Sequence, residues 1–306
     1  MKVAITGATG FVGQRLVKRL TEANHSVVVL PRSGDRARRL FPAGLFPQCE
    51  IVPYTPLKSG DWQKSIDGCD GVVNLAGAPI AENRWTPERK REILESRQIG
   101  TEKIVEAIAQ ASAPPKVLVN SSAIGYYGTS ENATFDENSI VGNDFLAAVC
   151  KKWETAAQGV SNDTRLVIVR TGIVLGRGGG ALEKLLMPFR IFAGGPLGTG
   201  RQWFSWIHLD DLVSLITQAL TDEQFKGIYN GTAPKPLRMA EFCNVLGQVM
   251  ERPSWLPVPS FALEALLGDA AAVVLEGQEV IPKRTLETDF SYKYSTAQSA
   301  LTQLLG

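Results

Sequence analysis

Histidine is nearly absent from this 306-residue chain, which holds only His25 and His208. Two distant histidines exclude a histidine-rich metal centre. Cysteine is also sparse: Cys49, Cys69, Cys150 and Cys243 lie far apart, with no CxxC or other metal-ligand spacing. They read as buried free thiols in a reducing compartment, so no metal is expected. A net charge of +1 removes any global electrostatic case for nucleic acid or an acidic membrane surface. No run approaches the about 20 apolar residues of a membrane-spanning helix. The longest candidate, FALEALLGDAAAVVLEG (261–277), is interrupted by Glu264 and Asp269 and reads as one or two amphipathic helices. The opening MKVAITG is strand-like and lacks a charged segment followed by an apolar one. No signal peptide is therefore expected, and a soluble, cytoplasmic protein is.

What is present is alternation. Apolar runs at Lys2–Thr6, Ser26–Leu30, Glu50–Tyr54, Gly71–Leu75, Lys116–Asn120 and Arg165–Arg170 predict strands. Between them, Val12–Ala23, Glu88–Ser112 and Asp144–Val160 carry apolar residues at helical spacing, as in Ile93, Leu94, Ile104, Val105 and Ile108. Runs such as VVVL and GVVNL are continuous, which suits strands covered on both faces. The pattern predicts an α/β fold: a doubly wound parallel Rossmann-type sheet that binds ligands beyond the carboxyl ends of its strands. After Arg170 the texture changes to Gly- and Pro-rich segments such as GRGGGALEKLL, AGGPLGTGRQWFSW and TAPKPLRM. The expected division is a nucleotide-binding domain of residues 1–175 plus about 203–232, and a smaller C-terminal substrate lobe of about 176–202 and 233–306.

The first strand runs directly into TGATGFVG, with Gly7, Gly10 and Gly13 at GxxGxxG spacing ahead of a helix. Gly7 allows a sharp turn off the strand, Gly10 lets backbone approach a pyrophosphate, and Gly13 lets helix and sheet pack closely. Backbone N–H groups at the helix start then hold phosphate oxygens. Thr9, Phe11 and Val12 complete this candidate cofactor-binding turn. At the end of the second strand, where an NAD site usually carries Asp or Glu, the chain reads VVVLPRSGDRARR. A guanidinium there binds a ribose 2′-phosphate that a carboxylate would repel. Arg32 is the first choice of ligand and Arg36 the second, while Arg38 and Arg39 read as solvated. The cofactor expected is NADP(H).

These motifs, with NLAG (74–77), NSSAIGYYG (120–128), VIVRTGIVLG (167–176) and WIHLDDL (206–212), make the chain resemble the extended, sugar-nucleotide epimerase-like branch of the short-chain dehydrogenase/reductase superfamily. SRQIGTEKIVEA, KWE, RTGIVLGRGGGAL, FRIFAGGPLGTGRQWFSWIHLDDL and EGQEVIPKR resemble an atypical subgroup of epimerase family proteins whose substrates are generally unassigned. Some of its cyanobacterial and plastid members are described as cell-division inhibitors. The resemblance implies that Leu75, Ala76 and Gly77 pass close to the adenosine side of the cofactor, and that Thr171 lies near the nicotinamide. Arg97 stands where many of these proteins carry asparagine, and either reaches the pocket or lies on a solvated helix face.

In the superfamily a tyrosine exchanges the proton while hydride moves to or from nicotinamide. A lysine four residues later lowers the tyrosine pKa and holds the ribose. Aligned through Glu154, those positions hold Leu146 and Cys150 here. The single Tyr-x-x-x-Lys of the chain, Tyr54 to Lys58, is interrupted by proline and cannot form the helical pair. Lys151 and Lys152 are rotated away from the required direction. The substrate-orienting serine falls on Ser122 or on Ala123, depending on the direction of counting. Tyr126, Tyr127 and His208 are the candidates for a different acid, with Tyr126 first. On the substrate side, GTGRQWFSWIHLDDL concentrates Arg201, Trp203, Trp206 and His208. Arg201 suits an anionic group; Trp206 and His208 either line the cleft or fill the core and cap a helix. Trp85 either closes over that cleft or packs under the next helix. The expected activity is an NADP(H)-dependent oxidoreductase or epimerase-like reaction on a small or nucleotide-linked substrate. The competing reading is a cofactor-binding regulatory protein with a protein partner, acting in cell division.

Overall fold

Runs of β-branched and aliphatic residues build a seven-stranded sheet in the computed structural model, which describes residues 1–81 and 83–306. Its strands are β1 (Lys2–Thr6), β2 (Ser26–Leu30), β3 (Cys49–Ile51), β4 (Gly71–Asn74), β5 (Val117–Ala123), β6 (Arg165–Thr171) and β7 (Gly227–Gly231). They lie in the order β7-β6-β5-β4-β1-β2-β3, and every neighbouring pair is parallel. The chain winds outward through β2 and β3, then returns past β1 to β4. Strand order therefore reverses between β1 and β4, and a ligand crevice opens at the carboxyl ends there.

Helices cover both faces, as continuous apolar strands require. Helix α1 (Phe11–Glu22) packs beside α6 (Leu209–Thr221), burying Leu16, Val17, Leu20, Leu215 and Ile216 against one face. On the other face α3 (Pro87–Gln110) buries Ile104, Ala107 and Ile108. The ends of these helices follow from their caps: Thr86 accepts from the Arg89 N–H before Pro87 opens α3. Asp144 likewise accepts from the Ala147 N–H at 2.8 Å and starts α4 (Phe145–Gln158). Short α2 (Gly34–Leu40) follows β2 and is capped by Ser33.

A second core gathers Leu182, Leu186 and Phe189 of α5 (Gly180–Arg190), Phe242 and Leu246 of α7 (Met239–Met250), and Leu301 of the C-terminal helix Ala297–Leu305. Phe204 and Trp206 join the same core. Helix α8 (Ser260–Leu267) lies near the surface and buries none of its residues. No helix among the described residues is long and apolar enough to cross a membrane.

Two strand ends differ from the sequence pattern by three residues, and the other differences are of one residue. β3 ends at Ile51, two residues before Pro53, which has no N–H to donate. β5 runs on to Ala123, pairing register by register with β6 and carrying Ser122 inside the sheet.

Helix α4 is held to the sheet by a buried ion pair. Arg170 on β6 donates from Nε and Nη2 to the two Glu154 carboxylate oxygens, each at 2.8 Å. Both side chains are almost fully buried. Burial alone would lower the Arg170 pKa, but Glu154 outweighs it and the net direction is up. Removing one partner of such a pair leaves an uncompensated charge and costs about 3–5 kcal/mol. Glu154→Ala is therefore expected to lower unfolding free energy by about that much in urea titrations. Glu154→Leu combined with Arg170→Met should recover much of the loss. An unchanged unfolding midpoint for Glu154→Ala would show that the pair does not hold the helix.

Candidate cofactor and catalytic site

The glycine turn sits at the reversal of strand order. Gly7 has φ +68°, and a Cβ there would stand 2.8 Å from the Leu75 carbonyl carbon, so turn and β4 exit are pressed together. Gly13 is equally confined, since its Cβ would lie 2.6 Å from the Ala8 Cα. Gly10, by contrast, is exposed, with Gly7 O the nearest obstacle to a Cβ at 3.1 Å. The turn is closed by Gly10 N–H donating to Gly7 O, and Gln14 Nε2 braces the Thr9 carbonyl. Helix α1 begins with no side-chain cap and no acidic residue in its first turn. Its N–H groups and dipole form a cradle suited to a pyrophosphate. Val12 is half-buried beneath the turn, and Phe11 fills the space between it and the glycines at 176, 179 and 180.

Leu75, Ala76 and Gly77 leave β4 beside this cradle. Thr6 Oγ1 accepts from the Ala76 N–H and donates to Asn74 Oδ1, which fixes the exit. Arg32 and Arg36 are exposed just after β2, at the same end of the sheet. Neither has a carboxylate partner among the described residues, whereas Arg38 pairs with Asp35 at 3.0 Å. Arg97 reaches from α3 to Gly77 and donates to the Ala78 and Ile93 carbonyls. Thr171 ends β6 half-buried, opposite Ala123.

On the catalytic side Leu146 packs against Gly125, and Cys150 is buried. Burial pushes the Cys150 thiol up to about 11. Lys151 and Lys152 point to solvent. Ser122 is buried, and its hydroxyl donates to Glu154 Oε1 at 2.7 Å, so it completes the ion-pair network instead of facing an open pocket. Tyr127 is also committed: its hydroxyl donates to Asn230 Oδ1 at 2.7 Å and accepts from Arg170 Nη1 at 3.1 Å. Burial raises the Tyr127 pKa to about 12 despite the adjacent Arg170. Tyr126 is different. It is half-exposed, the Arg170 guanidinium lies 3.4 Å from its ring centre, and its hydroxyl has no hydrogen-bond partner among the described residues.

The substrate-side residues separate. Trp206 has no exposed surface, and its indole N–H donates to the Lys235 carbonyl at 3.2 Å. It fills the second core and forms no cleft wall. His208 is buried and caps α6: Nδ1 accepts from Asp210 N–H at 3.0 Å, and Nε2 meets Gln303 Oε1 at 3.1 Å. Burial lowers its pKa, so the neutral ring serves as a structural post, with both nitrogens engaged and neither left for a substrate. Arg201 remains exposed, 3.7 Å from Glu131, beside Trp203, whose ring lies under Arg238. Trp85 packs edge-on against Phe145 at the start of α4, with its N–H on the Ile80 carbonyl. A broad surface depression lined by Asp70, Lys116, Asn162 and Lys226 lies at the opposite, amino end of the strands.

The residues that sequence reading missed are Arg170, Glu154 as a functional partner, and Asn230. A signal existed: single charges inside the apolar strand VIVRT and the buried face of α4 require partners.

The NAD dependent epimerase/dehydratase family matches residues 3–230, and a domain of unknown function, DUF1731, matches residues 258–304. The chloroplastic epimerase family protein SDR39U1 homolog of Arabidopsis thaliana is 52% identical over all of this chain and 87% of its own length. The crystal structure of human epimerase family protein SDR39U1 (isoform2) with NADPH superposes with a TM-score of 0.89 at 37% identity, covering 99% of each chain. The nucleoside-diphosphate sugar epimerase from Corynebacterium glutamicum is 29% identical, with a TM-score of 0.78 over the whole of this chain and 58% of that one. With three quarters of its length matched by the family and a relative 52% identical over the full chain, the protein belongs to the NAD dependent epimerase/dehydratase family.

Proposed function

We propose that the chain binds NADP(H) and is an atypical short-chain dehydrogenase/reductase acting as an oxidoreductase or epimerase-like enzyme on a small or nucleotide-linked substrate. The observation that carries the cofactor choice is Arg32, backed by Arg36, exposed after β2 where no carboxylate stands. The exposed Gly10 and uncapped start of α1 fit a pyrophosphate, and the human relative was crystallised with NADPH. A nucleotide-linked substrate agrees with the sugar epimerase named above, and Arg201 is the group that would meet its phosphate.

The bound cofactor would supply or accept hydride. The chain's own task is to orient the substrate and to move a proton. Tyr126 is the group for that task. The buried Arg170 holds its ring, and its hydroxyl is spent on no protein acceptor among the described residues. Thr171, at the end of β6, would limit the space beside it. The absence of a tyrosine–lysine pair on α4 favours a second reading, a cofactor-binding regulatory protein with a protein partner.

Three outcomes check these readings. NADPH is expected to bind at least about tenfold tighter than NADH, a difference of about 1.4 kcal/mol, and Arg32→Ala should remove most of that preference in calorimetric titrations. Equal wild-type affinities would overturn the assignment. Gly10→Val should keep its unfolding midpoint and lose NADPH binding, because the added branches enter the space of the pyrophosphate; normal binding would displace the cradle from the turn. Turnover of NADPH with common carbonyl and sugar-nucleotide substrates is expected to be slow. Where a substrate is found, Tyr126→Phe should lower kcat by about 10²–10⁴ with unchanged cofactor affinity. Undiminished kcat would exclude Tyr126, and no turnover together with a cofactor-dependent protein partner would favour the regulatory reading.

A further inference from the structure

Helix α8 has the composition of an interior helix and does not lie in an interior. Its sequence, SFALEALL, is apolar apart from Ser260 and Glu264, a pattern that belongs to a buried helix. Yet none of its residues is buried, and Phe261 and Leu266 are 73% and 69% exposed. The apolar surface continues beyond its N-terminal end. Gly194 pairs with Ser254 and Leu197 with Val258, and Gly194 O accepts from the Trp255 and Leu256 N–H groups, so the two segments run side by side. Ile191, Phe192, Trp255 and Leu256 stand exposed there. With Phe261 and Leu266 they make up six of the twelve exposed large apolar side chains among the described residues, and such a concentration marks a binding surface.

The other end of α8 meets the mouth of the crevice. Arg84, in the segment between β4 and α3, donates from Nε to the Leu266 carbonyl at 3.2 Å and from Nη2 to the Ala265 carbonyl. Lys90, in the first turn of α3, pairs with Asp269 at 2.7 Å. Its ammonium lies 6.0 Å from the Trp85 ring centre and 5.6 Å from that of Phe145. The wall formed by Trp85 and Phe145 therefore stands beside the end of α8. Phe145 is followed by Leu146, half-exposed where the resembling enzymes carry tyrosine and packed on Gly125, next to Tyr126. An apolar path thus runs from the Tyr126 corner over Leu146, Phe145 and Trp85 to Leu266 and along α8. Polar groups that border it are spent on the protein itself. Arg84 is held by two carbonyls, Lys90 by Asp269, and the Trp85 indole N–H by the Ile80 carbonyl at 2.8 Å.

We propose that the substrate carries an apolar chain, alkyl or isoprenoid, which leaves the crevice past Leu146 and Trp85 and lies along α8. Continuity between the crevice and the exposed face assigns that face to the substrate and not to a second protein. The eight residues of α8 span about 12 Å, room for a chain of medium length. Binding removes Leu266 and Phe261 from water, and each methylene buried with them strengthens it about fourfold. The proposal rests on the reading of this crevice as a cofactor and substrate site, and narrows the substrate named there to one with an apolar chain.

The test uses decan-1-ol and butan-1-ol, which share a head group and differ in chain length, titrated calorimetrically into the NADPH-saturated protein. NADPH reduces neither alcohol further, so the complexes do not turn over. Decan-1-ol should bind at least about tenfold tighter than butan-1-ol. Leu266→Glu, with Phe261→Ser as a second variant, should weaken decan-1-ol by about tenfold or more and leave NADPH affinity unchanged. Leu45→Glu, at an exposed leucine ahead of β3, should change neither. Equal affinities for the two alcohols, no binding of either, or undiminished decan-1-ol binding by both α8 variants overturns the proposal. So does an equal loss in Leu45→Glu, which would mark the affinity as unspecific. Sedimentation velocity adds a further arm: a wild-type dimer that Leu266→Glu breaks assigns α8 to a second copy of the chain and overturns the proposal as well. If NADPH itself does not bind, the cofactor reading has failed, and the same titrations into the free protein decide the α8 proposal by the same criteria.

Discussion

The site depends on one buried charge pair. Arg170 would be intolerable in the middle of an apolar sheet without Glu154, and Glu154 would be intolerable on the inner face of α4 without Arg170. Meeting each other's need locks α4 against β5 and β6 in a single register. Ser122, Tyr127 and Asn230 are drawn into the same network by their remaining donors and acceptors. The ring of Tyr126 then lies on the guanidinium face. Groups that look like independent candidate acids and orienting hydroxyls in a one-dimensional reading are thereby sorted: Ser122 and Tyr127 are consumed by the network, and Tyr126 keeps its hydroxyl.

The two halves of the site are built on different physical terms. The glycine turn after β1 is built from backbone. Close contact between the Gly7 turn and the β4 exit leaves no room for side chains, and the uncapped start of α1 presents N–H groups. Such a cradle tolerates almost any chemistry beside it. The rest of this end of the sheet is made of side chains delivered by separate elements: Leu146 and Cys150 on α4, Tyr126 after β5 and Arg97 on α3. A parallel sheet with helices on both faces allows this, because its strand ends are held rigidly while neighbouring elements can exchange the groups they send into the crevice.

Much of the fold was legible because its signals are local. Continuous runs such as VVVL mark strands buried on both faces, and the glycine spacing at 7, 10 and 13 marks the first strand-to-helix turn. The strand ends were less legible. β5 reaches Ala123 because β6 pairs with it all the way, and no property of SSA itself shows that. Trp206 and His208 were open between cleft and core for the same reason. A tryptophan and a histidine five and seven residues after an arginine can line a pocket or fill an interior, and contact with Lys235 and Gln303, remote in the chain, decides between them.

The sequence by itself determined the first six strands of the sheet and the three long helices among them, the glycine turn after β1, the arginines after β2 and the absence of the helical tyrosine–lysine pair. Each of these is written in a run of consecutive residues, over which backbone preference and side-chain spacing dominate. Only the tertiary structure decided that Arg170 answers Glu154, that His208 is a helix cap, that Tyr126 keeps its hydroxyl, and that Arg97 reaches Gly77. These are pairings between groups far apart in the chain. Their energies come from removing charge and hydrogen-bonding capacity from water, which is settled only when the elements pack and each buried group has found its partner.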